Sequence, residues 1–102
     1  MFVFNTTFVL EPSIVDSWEH WMKANYFPLI SEIVPGATNK TFEVMLAQQN
    51  GERNFSVQWI VATPDELSVI NRQSNTLCKL ITQEFGQKAL SFSTILKEHH
   101  YK

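Results

Sequence analysis

The chain is predicted to fold as an α+β sandwich of the order β-α-β-β-α-β. This is the ferredoxin-like arrangement, a four-stranded antiparallel sheet with two helices on one face. Three observations lead there. First, residues 41–60, TFEVMLAQQNGERNFSVQWI, read as a hairpin around Asn50-Gly51, the dipeptide that best tolerates the two positive φ angles of a type I′ turn. Second, Thr63-Pro64-Asp65-Glu66 carries the marks of a helix start: a hydroxyl cap, proline at the first position, acids in the first turn and glutamate three residues after the cap. Third, residues 2–10 and 89–96 alternate at period two, as strands do. Right-handed crossovers then place both helices on one side of a sheet whose central strands are the first and third.

Along the chain, the first strand directs Phe2, Phe4, Phe8 and Leu10 to one side and Val3, Asn5, Thr7 and Val9 to the other. The larger set selects the core face. Glu11-Pro12-Ser13 ends the strand, and Ser13 with Asp16 forms a capping-box-like pair at the start of a helix running to about Tyr26. Ile14, Trp18, Trp21 and Met22 recur on it at three- and four-residue spacing, with Asp16, Glu19, His20 and Lys23 on the wetter side. Pro28 predicts a kink or a second short turn through Leu29, Ile30 and Ile33 before Pro35-Gly36.

A two-residue turn at Asn50-Gly51 fixes the hairpin register as Leu46 against Phe55, Val44 against Val57 and Phe42 against Trp59, all on the core face. In the second helix, Leu67, Ile70, Ser74, Leu77 and Ile81 form a narrow apolar stripe, and Phe85-Gly86 closes it. The last strand alternates Leu90, Phe92 and Leu96 with Ser91, Ser93 and Ile95, the larger set again expected inward.

One domain, 1–102, accounts for the 102 residues, and 44% apolar with 13% aromatic residues is enough for a single core. A net charge of -2 with 18% charged residues offers no basic field for nucleic acid. The start lacks a basic segment followed by an apolar one, and no run approaches a membrane span, so a soluble cytoplasmic protein is expected. Cys78 is the single cysteine, in keeping with a reducing compartment.

No helix covers the second sheet face, so that face carries the question of function. By strand phase it shows Val3, Asn5, Thr7 and Val9, then Thr41, Glu43 and Met45, then Ser56, Gln58 and Ile60, then Ser91, Ser93 and Ile95. It has too many aliphatic groups for a simple solvated surface, and a partner surface is the economical reading. Asn5, Glu43 and Gln58 are its candidate interface or ligand residues. A second candidate is a cleft between helices and sheet lined by Trp18, Trp21, Met22 and Tyr26.

Phe4-Asn5-Thr6-Thr7, Trp18-x-x-Trp21-Met22-Lys23, Phe27-Pro28, Val57-Gln58-Trp59 and Phe85-Gly86 leading to Phe92-x-Thr94 follow one another along nearly the whole chain. In that order and spacing they resemble an uncharacterised bacterial domain-of-unknown-function family near the dimeric α/β-barrel proteins. The resemblance implies a ferredoxin-like protomer whose sheet meets that of a second copy, and it implies no activity. Tyr26-Phe27-Pro28 stands where the family's histidine before Ile-Pro is expected, which removes an acid-base group from the end of the first helix.

Haem chemistry of the kind found in some barrel relatives would need a histidine on the second helix, where residues 64–84 hold none. Strand phase also puts Asn5 and Trp59 on opposite faces. An RNA-recognition module shares the strand order, but the glycines of its sheet motifs are missing and Phe55 is phased inward. His20, His99 and His100 show no metal-ligand spacing. The sequence thus predicts a homodimeric, non-catalytic or small-ligand-binding module without cofactor, metal or nucleic-acid partner. A cofactor-free monooxygenase-like or isomerase-like enzyme using the helix-sheet cleft is the alternative.

Overall fold

The computed structural model describes residues 1–45 and 51–101. Its strands are β1 (Phe2–Leu10), β2 (Thr38–Glu43), β3 (Arg53–Val61) and β4 (Ala89–Lys97), in the antiparallel order β2-β3-β1-β4. Between β1 and β2 run a single 3-10 turn (Pro12–Ile14), α1 (Val15–Trp21), a π-helical turn (Met22–Tyr26) and α2 (Phe27–Ile33). Between β3 and β4 runs α3 (Pro64–Phe85). The ferredoxin-like order and its two central strands are therefore as expected.

The core lies between the helices and the two central strands. Phe4, Thr6, Phe8 and Leu10 of β1 and Phe55, Val57, Trp59 and Val61 of β3 are buried there. Trp18 packs between Phe8, at 5.2 Å between ring centroids, and Phe55, at 5.1 Å. Burying each such side chain contributes about 1.5–3 kcal/mol. Ile70, Ser74, Leu77 and Ile81 are the buried stripe of α3, with Leu67 partly buried beside them.

The π-helical turn explains how one long helical connection keeps its apolar residues on one side. Trp18, Met22, Tyr26, Ile30 and Val34 are all buried, and each follows the last by four residues. In a regular α-helix every such step drifts by about 40°, so the row would wind off the sheet. The π-helical turn, in which the Phe27 N–H donates to the Met22 carbonyl five residues back, takes up that drift. Pro28 follows it in the first turn of α2, where its missing N–H costs little. α2, through Leu29, Ile30 and Ile33, is the second short turn of the expectation raised by Pro28. The Ser13–Asp16 capping pair does not form: the Ser13 hydroxyl donates to the Glu11 carboxylate at 3.4 Å, and α1 starts without a side-chain cap.

The hairpin departs from expectation. Phe42 faces Ser56, Thr41 faces Val57 and Glu43 faces Phe55, three residues away from the register of a two-residue turn. Val44 donates its N–H to the Asn54 carbonyl at 2.8 Å, continuing the observed register. Because the displacement is odd, it turns β2 over. Gly51 does have a positive φ of 79°, whereas Leu46 and Asn50 lie outside the described residues.

The phase of β4 is also the reverse of that expected. Ser91 and Ser93 are on the helix side, opposite Phe8 and Thr6, while Leu90, Phe92 and Leu96 are on the open face. The reason is close packing: Thr6 and Ser93 share a hydroxyl hydrogen bond of 2.9 Å beneath α3, and Ser91 lies at Cys78. Small side chains fit where a Phe would not. Apart from Ala89, every residue of β4 is exposed.

Two expected outcomes follow from this packing. Thr63 and Glu66 form a complete capping box at the start of α3, so Thr63→Ala lowers stability by about 1 kcal/mol in urea unfolding. Tyr26 is buried and shares a 3.2 Å hydroxyl hydrogen bond with Ser74; burial raises its pKa from the usual 10.0, opposed less strongly by Ser74, Trp59 and Thr6. Its neutral form therefore supports the fold fully below pH 10, and that support is lost as pH rises through its elevated pKa. Tyr26→Phe costs about 1 kcal/mol at neutral pH and makes the alkaline loss of stability shallower, which unfolding curves on both sides of pH 10 measure.

Candidate functional site

The open face of the sheet is ordered in rows. Across its middle run Phe42, Ser56, Thr7 and Phe92; the next row is Lys40, Gln58, Asn5 and Thr94; the next is Thr38, Ile60, Val3 and Leu96. Phe42, Leu90, Phe92 and Leu96 on the outer strands are each roughly half exposed. The central strands instead present a square of four polar side chains. Gln58 Nε2 donates to Ser56 Oγ at 3.3 Å, Ser56 Oγ donates to Asn5 Oδ1, and Asn5 Nδ2 donates to Thr7 Oγ1 at 3.3 Å. Asn5 and Gln58 are thus neighbours in register, as the strand phases predict.

Glu43 does not belong to this face. The reversal of β2 carries it to the helix side, where its carboxylate accepts from Arg53 Nε at 2.9 Å and from Nη2 at 3.1 Å. Arg53 holds the Glu43 carboxyl below the usual range by that hydrogen bond, and Glu43 raises the Arg53 guanidinium in return. The guanidinium also lies over the Phe55 ring, 5.3 Å from its centroid.

The four residues expected to line one helix-sheet cleft are divided among three places. Trp18 and Met22 do line a cleft of about 210 Å³, together with Glu19, Lys23, Phe27, Thr41 and Phe55. Trp21 lies on the far side of the helix, in grooves shared with Ala24, Asn25, Leu77 and Phe85. Tyr26 is sealed in the core between Phe8, Phe27 and Trp59. The four-residue recurrence of Trp18, Met22 and Tyr26 was the signal that could have separated Trp21 from the other three. Phe27 and Thr41 were not foreseen at the cleft, because the first depends on the π-helical turn and the second on the hairpin register.

Burial raises the Cys78 thiol, and Ser91 and Ser74 lower it less strongly, so the thiolate is disfavoured there. Among the described residues no three His, Cys, Asp or Glu side chains gather as metal ligands. Among the same residues no helix is long and apolar enough to cross a membrane.

Solved structures share this fold at low identity. Protein Atu4242 from Agrobacterium tumefaciens superposes with a TM-score of 0.66 at 12% identity, covering 99% of this chain and 96% of that one. HapK from Hahella chejuensis gives 0.63 at 14% identity, covering 100% and 96%. A dimeric ferredoxin-like protein from an uncultured marine organism gives 0.65 at 6% identity, covering 100% of both chains. No curated protein matches the chain significantly. A family model does match it, from residue 1 to residue 99. With the fold it shares and nearly its whole length matched, the chain belongs to the family described as domain of unknown function DUF4286.

Proposed function

We propose that the protein is a non-catalytic homodimeric binding module: two copies meet through their open sheet faces, and the cleft on the helix side of each takes a small molecule. The observation that carries the dimer is the distribution of residues over the open face. Exposed Phe42, Leu90, Phe92 and Leu96 flank a polar square whose members hydrogen-bond to one another. Apolar side chains of that size gain by being covered, about 25 cal/mol for each Å² removed from water. Polar groups already partnered within their own sheet cost less to desolvate than orphaned ones. A second copy supplies a surface of the same dimensions, with its own apolar outer strands and polar centre, as a two-fold contact requires. The solved neighbour titled a dimeric ferredoxin-like protein supports the reading, at the level of the fold.

The binding half of the proposal is supported by the cleft, whose walls are mainly Trp18, Met22, Phe27 and Phe55. Apolar walls with a few polar groups at the edge are the usual composition of a ligand site. The cytoplasm is the compartment we assign, since the single cysteine leaves no disulfide within the chain.

Light scattering behind a sizing column, over a range of concentrations, should return twice the mass of 11.8 kDa. Gln58→Arg places two uncompensated guanidinium groups near the two-fold axis and weakens the dimer by about 100-fold or more. Phe92→Lys acts in the same direction from the outer strand. A monomer at every concentration for the unaltered protein defeats the dimer. An unchanged mass for both variants removes this face from the contact.

A further inference from the structure

We propose that the cleft beside α1 is a binding site for a single-ring aromatic carboxylate. This rests on the ligand-binding half of the reading above and is independent of the dimer. Size comes first. About 210 Å³ is available, and an apolar cavity of about 150 Å³ is enough to hold benzene. One substituted ring fits, whereas a nucleotide or a macrocycle does not.

The walls favour a ring over a chain. Trp18 and Phe55 both line the cleft, their ring planes 33° apart with centroids 5.1 Å from each other. Phe27 adds a third aromatic side chain, and Met22 a polarisable sulfur that packs well against ring edges. The hairpin register contributes too. With Thr41 opposite Val57, a small hydroxyl side chain reaches the cleft where the expected register would have placed Phe42 in the neighbouring helix-side position.

The polar groups select the ligand's charge. Lys23 is the single cation among the lining residues, and among the described residues it makes no ion pair. Lys23 offers a carboxylate a charge, and the Thr41 hydroxyl, which also lines the cleft, offers a hydrogen-bond donor. Glu19 lines the cleft as well, and its negative charge disfavours a carboxylate placed against it, so the ligand's carboxylate is assigned to Lys23. Trp18 lines the cleft while its indole N–H is buried behind the ring, so the N–H signal reports on a ligand through the ring and not by direct contact.

The test uses the full-length ¹⁵N-labelled protein, in which three indole N–H signals report on Trp18, Trp21 and Trp59. The signals are assigned with Trp21→Phe and Trp59→Phe, and the solution mass is recorded on the same samples. Benzoate, benzamide and acetate are titrated in turn. Benzoate should move the Trp18 signal saturably, with a dissociation constant of about 1 mM, the scale expected of so small a ligand. Benzamide should bind at least about fivefold more weakly, because it lacks the charge that Lys23 meets, and acetate should leave the signal in place. Lys23→Met should weaken benzoate by about the same factor without changing benzamide, and Thr41→Trp should fill the cleft and abolish both.

The carboxylate assignment is overturned if benzamide binds as well as benzoate, or if Lys23→Met leaves benzoate unaffected. In either case the cleft remains a ligand site and only the class is wrong. If none of the three probes moves the Trp18 signal at about 20 mM, or acetate moves it as far as benzoate does, both the aromatic site and the ligand-binding half of the proposed function are overturned. Because Lys23 is exposed, its replacement keeps the test decisive even where Thr41→Trp fails to fold.

Discussion

The helix layer closes onto two strands only, and this constraint shapes everything else in the molecule. β1 and β3 bury alternate side chains against α1, α2 and α3, while β2 buries none and β4 buries Ala89 alone. The outer strands therefore owe their place to backbone pairing with a well-packed neighbour. Their side chains remain free to serve another purpose. On the open face they supply the apolar flanks of the proposed contact, and on the helix side β2 leaves room for the cleft beside Trp18 and Phe55. The Glu43–Arg53 pair links the end of β2 to the start of β3, although a partly exposed ion pair of this kind contributes little to stability by itself.

The sequence was most informative where a signal extended over several turns. The α3 stripe of Ile70, Ser74, Leu77 and Ile81, its Thr63 cap and its Gly86 terminus with φ of 61° could all be read from the chain. These features reinforce one another within a single element, and their meaning does not depend on where a distant strand lies. The alternation of β1 and β3 was equally informative, since the helices cover both strands.

Local rules misled where the outer strands were concerned. Asn50-Gly51 invites a two-residue turn, but among the described residues the pairing follows a register three residues away from it, through Val44 and Asn54. On β4, the rule that larger side chains point inward presumes an interior to receive them; beneath α3 there is room for serines. These two reversals removed Glu43 from the open face and brought Phe42 and Phe92 to it, making the surface more apolar at its flanks than the sequence suggested. Of the four residues expected at the helix-sheet cleft, Trp18 and Met22 line it, whereas Trp21 lies on the far side of the helix and Tyr26 in the core, a division that the four-residue recurrence of Trp18, Met22 and Tyr26 carries.

The π-helical turn has a consequence for how the cleft is built. Met22 and Lys23, two of its lining residues, belong to that turn. A helix carrying one extra residue has two hydrogen-bonding patterns within reach, one closing on the fourth residue back and one on the fifth. The wall of the cleft is built where these two patterns meet, between Pro28 on one side and a regular helical turn on the other. The cleft therefore joins two unlike walls: Met22 and Lys23, carried by the wider winding, and Trp18, carried by regular helix and held by its packing on Phe8 and Phe55.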